Sequence, residues 1–214
     1  MAMIKSALEL ALERTKDLTV DEAALEAKSL RQEGKKAAGR YLEDPESADL
    51  GAALAAYPKE RRKAAREGMF ESLASQLQLP ASEAALALLP RLAKAFAALA
   101  AAPAGNGILG GVGGAAAEKR VAALLQQLEG FFRQYLDDMK NVEQAIRKQW
   151  APKLREKERQ LAARMGQDVR LDPMTDPEFS AFYKQNVSAV RQQYLDALEK
   201  AKAELASLLG VEGK

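Results

Sequence analysis

The sequence contains neither cysteine nor histidine. Their absence removes disulfides, thiolate nucleophiles, imidazole bases and the usual ligands of zinc, copper, haem and iron–sulfur sites. Carboxylates, hydroxyls and lysines are what remain for chemistry, so no cofactor is expected and no enzymatic activity. Aromatic residues are scarce, at 6%, and the 48% of hydrophobic residues is carried by alanine and leucine. That mix favours helices and disfavours sheets, which draw on β-branched and aromatic side chains.

Charge of one sign is lacking too. There are 32 basic and 30 acidic residues, a formal +2, spread along 214 residues. No overall field marks a nucleic-acid binder. The first fifty residues are slightly acidic and the rest slightly basic, too small an asymmetry to select a partner. At this length the chain can bury one sizeable core or two small ones.

No export signal is read at the start, because acidic residues interrupt the apolar run in Ser6-Ala7-Leu8-Glu9-Leu10. Lack of cysteine fits a reducing compartment and equally a disulfide-free exported protein; with no export signal read, a cytoplasmic location is expected. One run, Ala95 to Ala117, is free of charge and long enough to be weighed as a membrane span. It contains Pro103, Asn106 and six glycines, and its apolar character is mostly alanine, so it makes a poor one.

Hydrophobic spacing predicts helices throughout. Ile4, Leu8 and Leu12 mark a first helix to about Lys16, and Thr19-Val20-Asp21-Glu22 reads as a capping box opening a second that runs to about Leu42. A third starts near Asp49, or at Pro58, and reaches about Gln78. Ala84 to Ala101 reads as a helix that is apolar almost all round, and Pro90 should kink or split it. The glycine-rich run Pro103 to Gly114 breaks the pattern and sets a boundary.

The second half carries the strongest periodicity. Val121, Leu125, Leu128, Phe132, Tyr135, Met139, Val142 and Ile146 alternate at spacings of four and three, a heptad seam over nearly four heptads. At Trp150 the spacing slips, and Pro152 follows, so the helix is expected to bend or unwind there before continuing to Gly166. Asp176 and Pro177 open a last helix, with Tyr183, Val187, Val190 and Tyr194 on its stripe, which stops at Gly210. The two should fold back on each other as an antiparallel hairpin about 50 Å long.

Several groups invite a functional reading. Lys59, Arg61, Arg62, Lys63 and Arg66 form one basic cluster; Arg147, Lys148, Lys153, Arg155, Lys157 and Arg159 form another around Pro152. Either could contact phosphates or anionic lipid, but interleaved acids make a mixed, solvated helix face the plainer reading. The glycine run could cradle a phosphate, yet no strand precedes it and Ala115-Ala116-Ala117 follow where a lysine and a hydroxyl belong. A connector fits better. Asp172, Thr175, Asp176 and Glu178 are explained by turn formation and helix capping. Asp137 and Asp138 point about 100° apart on a helix and fit its polar face opposite the seam. Trp150 is either an interface anchor or a side chain filling the gap at the kink.

Ile4 to Asp17 resembles the opening of a small family of uncharacterised bacterial helical proteins. The resemblance implies a bacterial origin and carries over no activity, ligand or catalytic residue to positions here.

These observations converge on an all-α protein: packed shorter helices over residues 1–102, a glycine-rich linker over 103–114, and a long coiled-coil-like antiparallel hairpin over 115–214. The function expected is a scaffold or adaptor that associates through helices, as a homo-oligomer or with a helical partner. The seam from Val121 to Trp150 serves either as hairpin core or as association surface. No small-molecule substrate is evident. Nucleic acid or a membrane surface is the alternative partner.

Overall fold

The structure, a computed structural model, describes residues 22–102 and 115–211. The expected first helix, most of the capping box and the glycine-rich run fall outside these residues. Six α-helices account for most of what is described, with no strand among them: α1 (Glu22–Glu43), α2 (Leu50–Ala55), α3 (Lys59–Ser75), α4 (Leu89–Ala101), α5 (Ala115–Met165) and α6 (Pro177–Leu208). The third helical region is two helices, because both candidate starts are used. Asp49 accepts hydrogen bonds from the amides of Gly51 and Ala52 to cap α2, and Pro58 precedes α3. Pro90 splits the apolar stretch as expected: Glu83–Leu88 is a 3-10 turn, and Pro90 lies in the first turn of α4, where its missing N–H costs nothing.

α1 and α3 run in the same direction. Three ion pairs advance together along both: Glu26 with Arg61 (2.5 Å), Arg31 with Glu67 (2.6 Å) and Lys35 with Glu71 (2.7 Å). Two neighbours in sequence can pack in parallel only if the chain returns between them, which is what residues 44–58, including α2, accomplish. Glycine sets how close the two come. A β-carbon at Gly34 would overlap the carbonyl oxygen of Ala65, and one at Gly68 would overlap that of Arg31. The backbones therefore touch directly, and dispersion at close packing density, more than the partly exposed ion pairs, holds this pair.

One apolar core runs from these helices into the hairpin. It joins Tyr41, Leu54, Met69, Phe70, Leu73, Leu92, Phe96 and Leu99 to Val121, Leu125, Leu128 and Phe132 of α5 and to Leu198 and Leu205 of α6. Phe70 and Phe96 meet edge to face at 6.0 Å. The stretch Glu83–Ala101 is long and apolar enough to cross a membrane by length and composition. Here Leu92, Ala95, Phe96 and Leu99 are buried in the core, which accounts for that composition.

The second half forms the expected hairpin, with one difference. α5 is a single helix of 51 residues, about 77 Å, and it passes through Pro152 without a break. Proline removes the hydrogen bond that Lys148 O would accept and crowds that carbonyl. Lys148 and Pro152 both face solvent, where water can serve the carbonyl, so the helix absorbs the lesion. The turn at the far end follows its chemistry. Gly166 takes a positive φ of 69° to stop α5, Asp172 accepts from the amide of Met174, and Asp176 caps α6 by accepting from the amides of Glu178 and Phe179. α6 ends in a Schellman motif: Gly210 (φ 64°) donates to Ser207 O and Val211 to Ala206 O.

Beyond about Met139 the hairpin has a small core of its own. Ile146, Trp150, Leu154 and Phe179, flanked by Val142, Phe182, Tyr183 and Val187, form a cluster to which no residue of α1–α4 belongs. We call this distal half the arm, and the remainder the body.

The glycine contact gives a sharp expectation. Gly68→Ala should destabilise the protein by at least about 2 kcal/mol, because the obstacle is backbone and cannot rotate away. Gly39→Ala, on the same pair of helices but with open space at its β-carbon, should stabilise it by about 0.5–1 kcal/mol. Urea unfolding of the two variants checks both signs.

Candidate interaction surfaces

The seam residues face inward. Val121, Leu125, Leu128, Phe132 and Tyr135 are buried in the main core, Ile146 and Trp150 in the arm core, and Met139 and Val142 are half-buried between them. Their partners are α4 and α6 of the same chain, so along the body the seam is filled from within. Trp150 packs against Phe179 and Phe182, both at 5.8 Å, and Lys153 Nζ lies 4.4 Å from its ring centre. It fills space inside the arm rather than presenting an anchor.

The first basic cluster disperses. Lys59 and Lys63 are exposed on α3, and Arg61 pairs with Glu26. Arg62 donates to Tyr57 O (2.8 Å) and Ala55 O (2.9 Å), closing the C-terminus of α2. Arg66 is buried, 6% exposed, and so is no anion contact. Its guanidinium donates to Ala102 O (2.9 Å), at the end of α4, and to Leu209 O (3.2 Å), at the end of α6. Burial, helped by the Arg62 charge, lowers its pKa, but arginine keeps its proton at any ordinary pH. A fixed positive charge thus sits where two helix dipoles present their negative ends. Arg91 does the same for α1, donating to Leu42 O (2.7 Å). The spacing held a signal for Arg66: it lies within the apolar stripe of Ala65, Met69, Phe70 and Leu73, and a charge there must be partnered.

The second cluster divides. Lys157 bridges Asp176 (2.5 Å) and Glu178 (3.1 Å), whose hydrogen bonds raise its pKa; the same contact, with the capping amides of Phe179 and Glu178, lowers that of Asp176. Glu158 accepts from the amide of Leu171, tying the turn back to α5. Lys148, Arg155 and Arg159 are exposed, and their spacing of seven and four puts them on one outer stripe of α5 with Pro152. Among the described residues no three carboxylates are placed to share a metal ion.

Asp138 departs from the expected polar face. It does not lie opposite the seam: its carboxylate accepts a hydrogen bond from the Tyr194 hydroxyl of α6 at 2.5 Å, while Asp137, one residue back, is exposed near Lys140. Position 138 adjoins Tyr135 and Met139 on the hairpin's edge, within reach of a tyrosine from the facing helix. The Tyr194 ring packs on Phe131 and Tyr135, each with centroids 5.0 Å away. Burial first, then the Asp138 hydrogen bond, push its pKa up to about 12. Beside this pair a groove of about 500 Å³ opens between α5 and α6, lined by Phe131, Gln134, Asp138, Asn141, Val142, Val190, Gln193 and Tyr194. No sequence pattern pointed to it, because its walls come from two helices about 60 residues apart.

A family of unknown function, DUF6657, matches residues 51–207, and the chain belongs to that family. The match takes in α2 but for its first residue, α3 to α5, almost all of α6 and the whole groove; α1 and the segment Ile4 to Asp17 lie outside it. No curated protein and no solved structure matches the chain.

Arg66→Met should cost about 2–4 kcal/mol, since the carbonyls of Ala102 and Leu209 lose their shared donor in a place water reaches poorly. Thermal unfolding followed by circular dichroism checks this. A cost below about 1 kcal/mol would mean that the two helix ends find other donors.

Proposed function

We propose that this member of the family is a non-enzymatic scaffold of the cytoplasm that associates through its two-helix arm, with a second copy as the partner. The observation that carries the reading is the arm's tip. Of the three large hydrophobic residues exposed among the described residues, two, Met165 (59%) and Met174 (47%), flank the turn that closes the arm. Methionine is flexible and polarisable, and suits a surface that must mould to another. The arm stands on a core separate from the body's, so its tip can meet a partner without disturbing the main core. Tip-to-tip contact between identical arms would generate a two-fold symmetric dimer.

A second reading is favoured by one feature, the acid-free outer stripe of Lys148, Arg155 and Arg159. Between Lys140 and Arg191 there are 11 basic and 7 acidic residues, against 21 and 23 in the rest of the chain. The arm therefore carries +4 and the remainder −2. Contact of that stripe with a polyanion, nucleic acid or a membrane surface, is the alternative it supports.

Light scattering behind a sizing column separates the two. Wild type should run as a dimer at high concentration and the double variant Met165→Glu with Met174→Glu as a monomer of unchanged melting temperature, both insensitive to salt. A wild type that is monomeric at every concentration would overturn the scaffold reading. Retention on DNA or anionic vesicles that falls steeply with salt would replace it with the second.

A further inference from the structure

The groove at Asp138 has the composition of a binding site and lies where the molecule has a seam in its packing. On its body side, Phe131, Met139 and Tyr194 pack against the main core; on its arm side, Val142 and Val187 pack against the arm core. Neither core fills the space between. The groove's about 500 Å³ falls within the range of small-molecule sites, about 300–1,000 Å³.

Its chemistry is one-sided. Asp138 is the only charged residue in the lining. The carboxylate is half-buried, takes the Tyr194 hydroxyl on one oxygen, and among the described residues forms no ion pair with lysine or arginine. A carboxylate partly withdrawn from water without a counter-charge favours a cation beside it. Two aromatic rings stand next to it, Phe131 and Tyr194, tilted at 49° with centroids 5.0 Å apart. Their faces attract positive charge as well. Val142 and Val190 supply an apolar wall, and Gln193 a polar rim. An anion would be repelled by Asp138 and find no positive side chain. A bare metal ion would find a single carboxylate.

We infer that the groove between α5 and α6 binds a small organic cation of the alkylammonium class, its charge held by Asp138 and the rings of Phe131 and Tyr194 and its alkyl part laid along Val142 and Val190. Tyr194 orients the carboxylate: by donating to one oxygen it leaves the other for the ligand. An occupant would touch the edges of both cores and so bridge arm and body.

Calorimetric titration with three probes of equal chain length tests this: hexyltrimethylammonium, hexanol and hexanoate. The cation should bind at least about tenfold more tightly than either other probe, the factor that one good charged contact supplies. Asp138→Asn, which keeps the shape and can still accept from Tyr194, should lose that margin for the cation and leave hexanol unchanged. Tyr194→Phe, which keeps the ring, should retain cation binding within about threefold. Equal affinity for cation and alcohol, no measurable binding of the cation, or an Asp138→Asn variant that binds it as wild type does would each overturn the inference. Should Asp138→Asn fail to fold, as its melting curve would show, the selectivity of the wild type among the three probes still decides.

Discussion

The ends of helices are the constraint around which this molecule is arranged. Each α-helix finishes with carbonyls that have no partner inside the helix, and packing helices about one core brings some of those ends, those of α4 and α6, out of water. Here the donors are arginines from elsewhere in the chain. Arg91 serves α1 and Arg62 serves α2 at the surface, and in the interior the single guanidinium of Arg66 serves both α4 and α6. The last of these links residues 143 apart in sequence, so the start of the body and the final turn of the hairpin are held by one buried group. Arginine suits the task because its planar fork offers five donors and it keeps its charge when desolvated.

The middle of α3 is consequently enclosed on every side. Gly68 and Ala65 meet the backbone of α1, Glu67 takes the charge of Arg31, and Arg66 reaches across to the ends of α4 and α6. Met69 and Leu73 complete the core beneath. A β-carbon at position 68 would overlap the backbone of α1, and the fork of Arg66 reaches both carbonyls at once. The direct backbone contact of α1 with α3 and the three ion pairs are made with the two helices parallel, and the parallel course requires the return through α2. A few residues of one helix thereby touch three others.

Much of this could be read from the sequence where the signal is local. Heptad spacing placed α5 and α6, Gly166 and Gly210 marked their ends, Asp176 with Pro177 marked a start, and Pro90 marked a split. These succeed because capping and periodicity depend on neighbours a few residues away. What failed depends on distance. Arg62 and Arg66 looked like part of a basic surface because charge alone says nothing of burial; the clue was the apolar residues around Arg66. Asp138 was put on the wrong face because a half-turn error at a seam's edge decides whether a carboxylate meets water or the tyrosine opposite. Pro152 does not unwind α5, since its position leaves the freed carbonyl to solvent. The groove was invisible because it exists only once two helices are paired.

The division between a body and an arm is the central claim. The body and the base of the hairpin share one core and the Arg66 contacts, so they should open together; the arm rests on four buried side chains of its own and should open by itself. Hydrogen exchange under native conditions tests this most directly. Amides in the middle of α3, in α4 and around Leu128 and Leu205 should exchange only through global unfolding, while those around Trp150 and Phe179 should exchange through a local opening of lower free energy. Exchange in which α3 and α4 open independently of the hairpin's base, or in which the arm is as protected as the core, would contradict it.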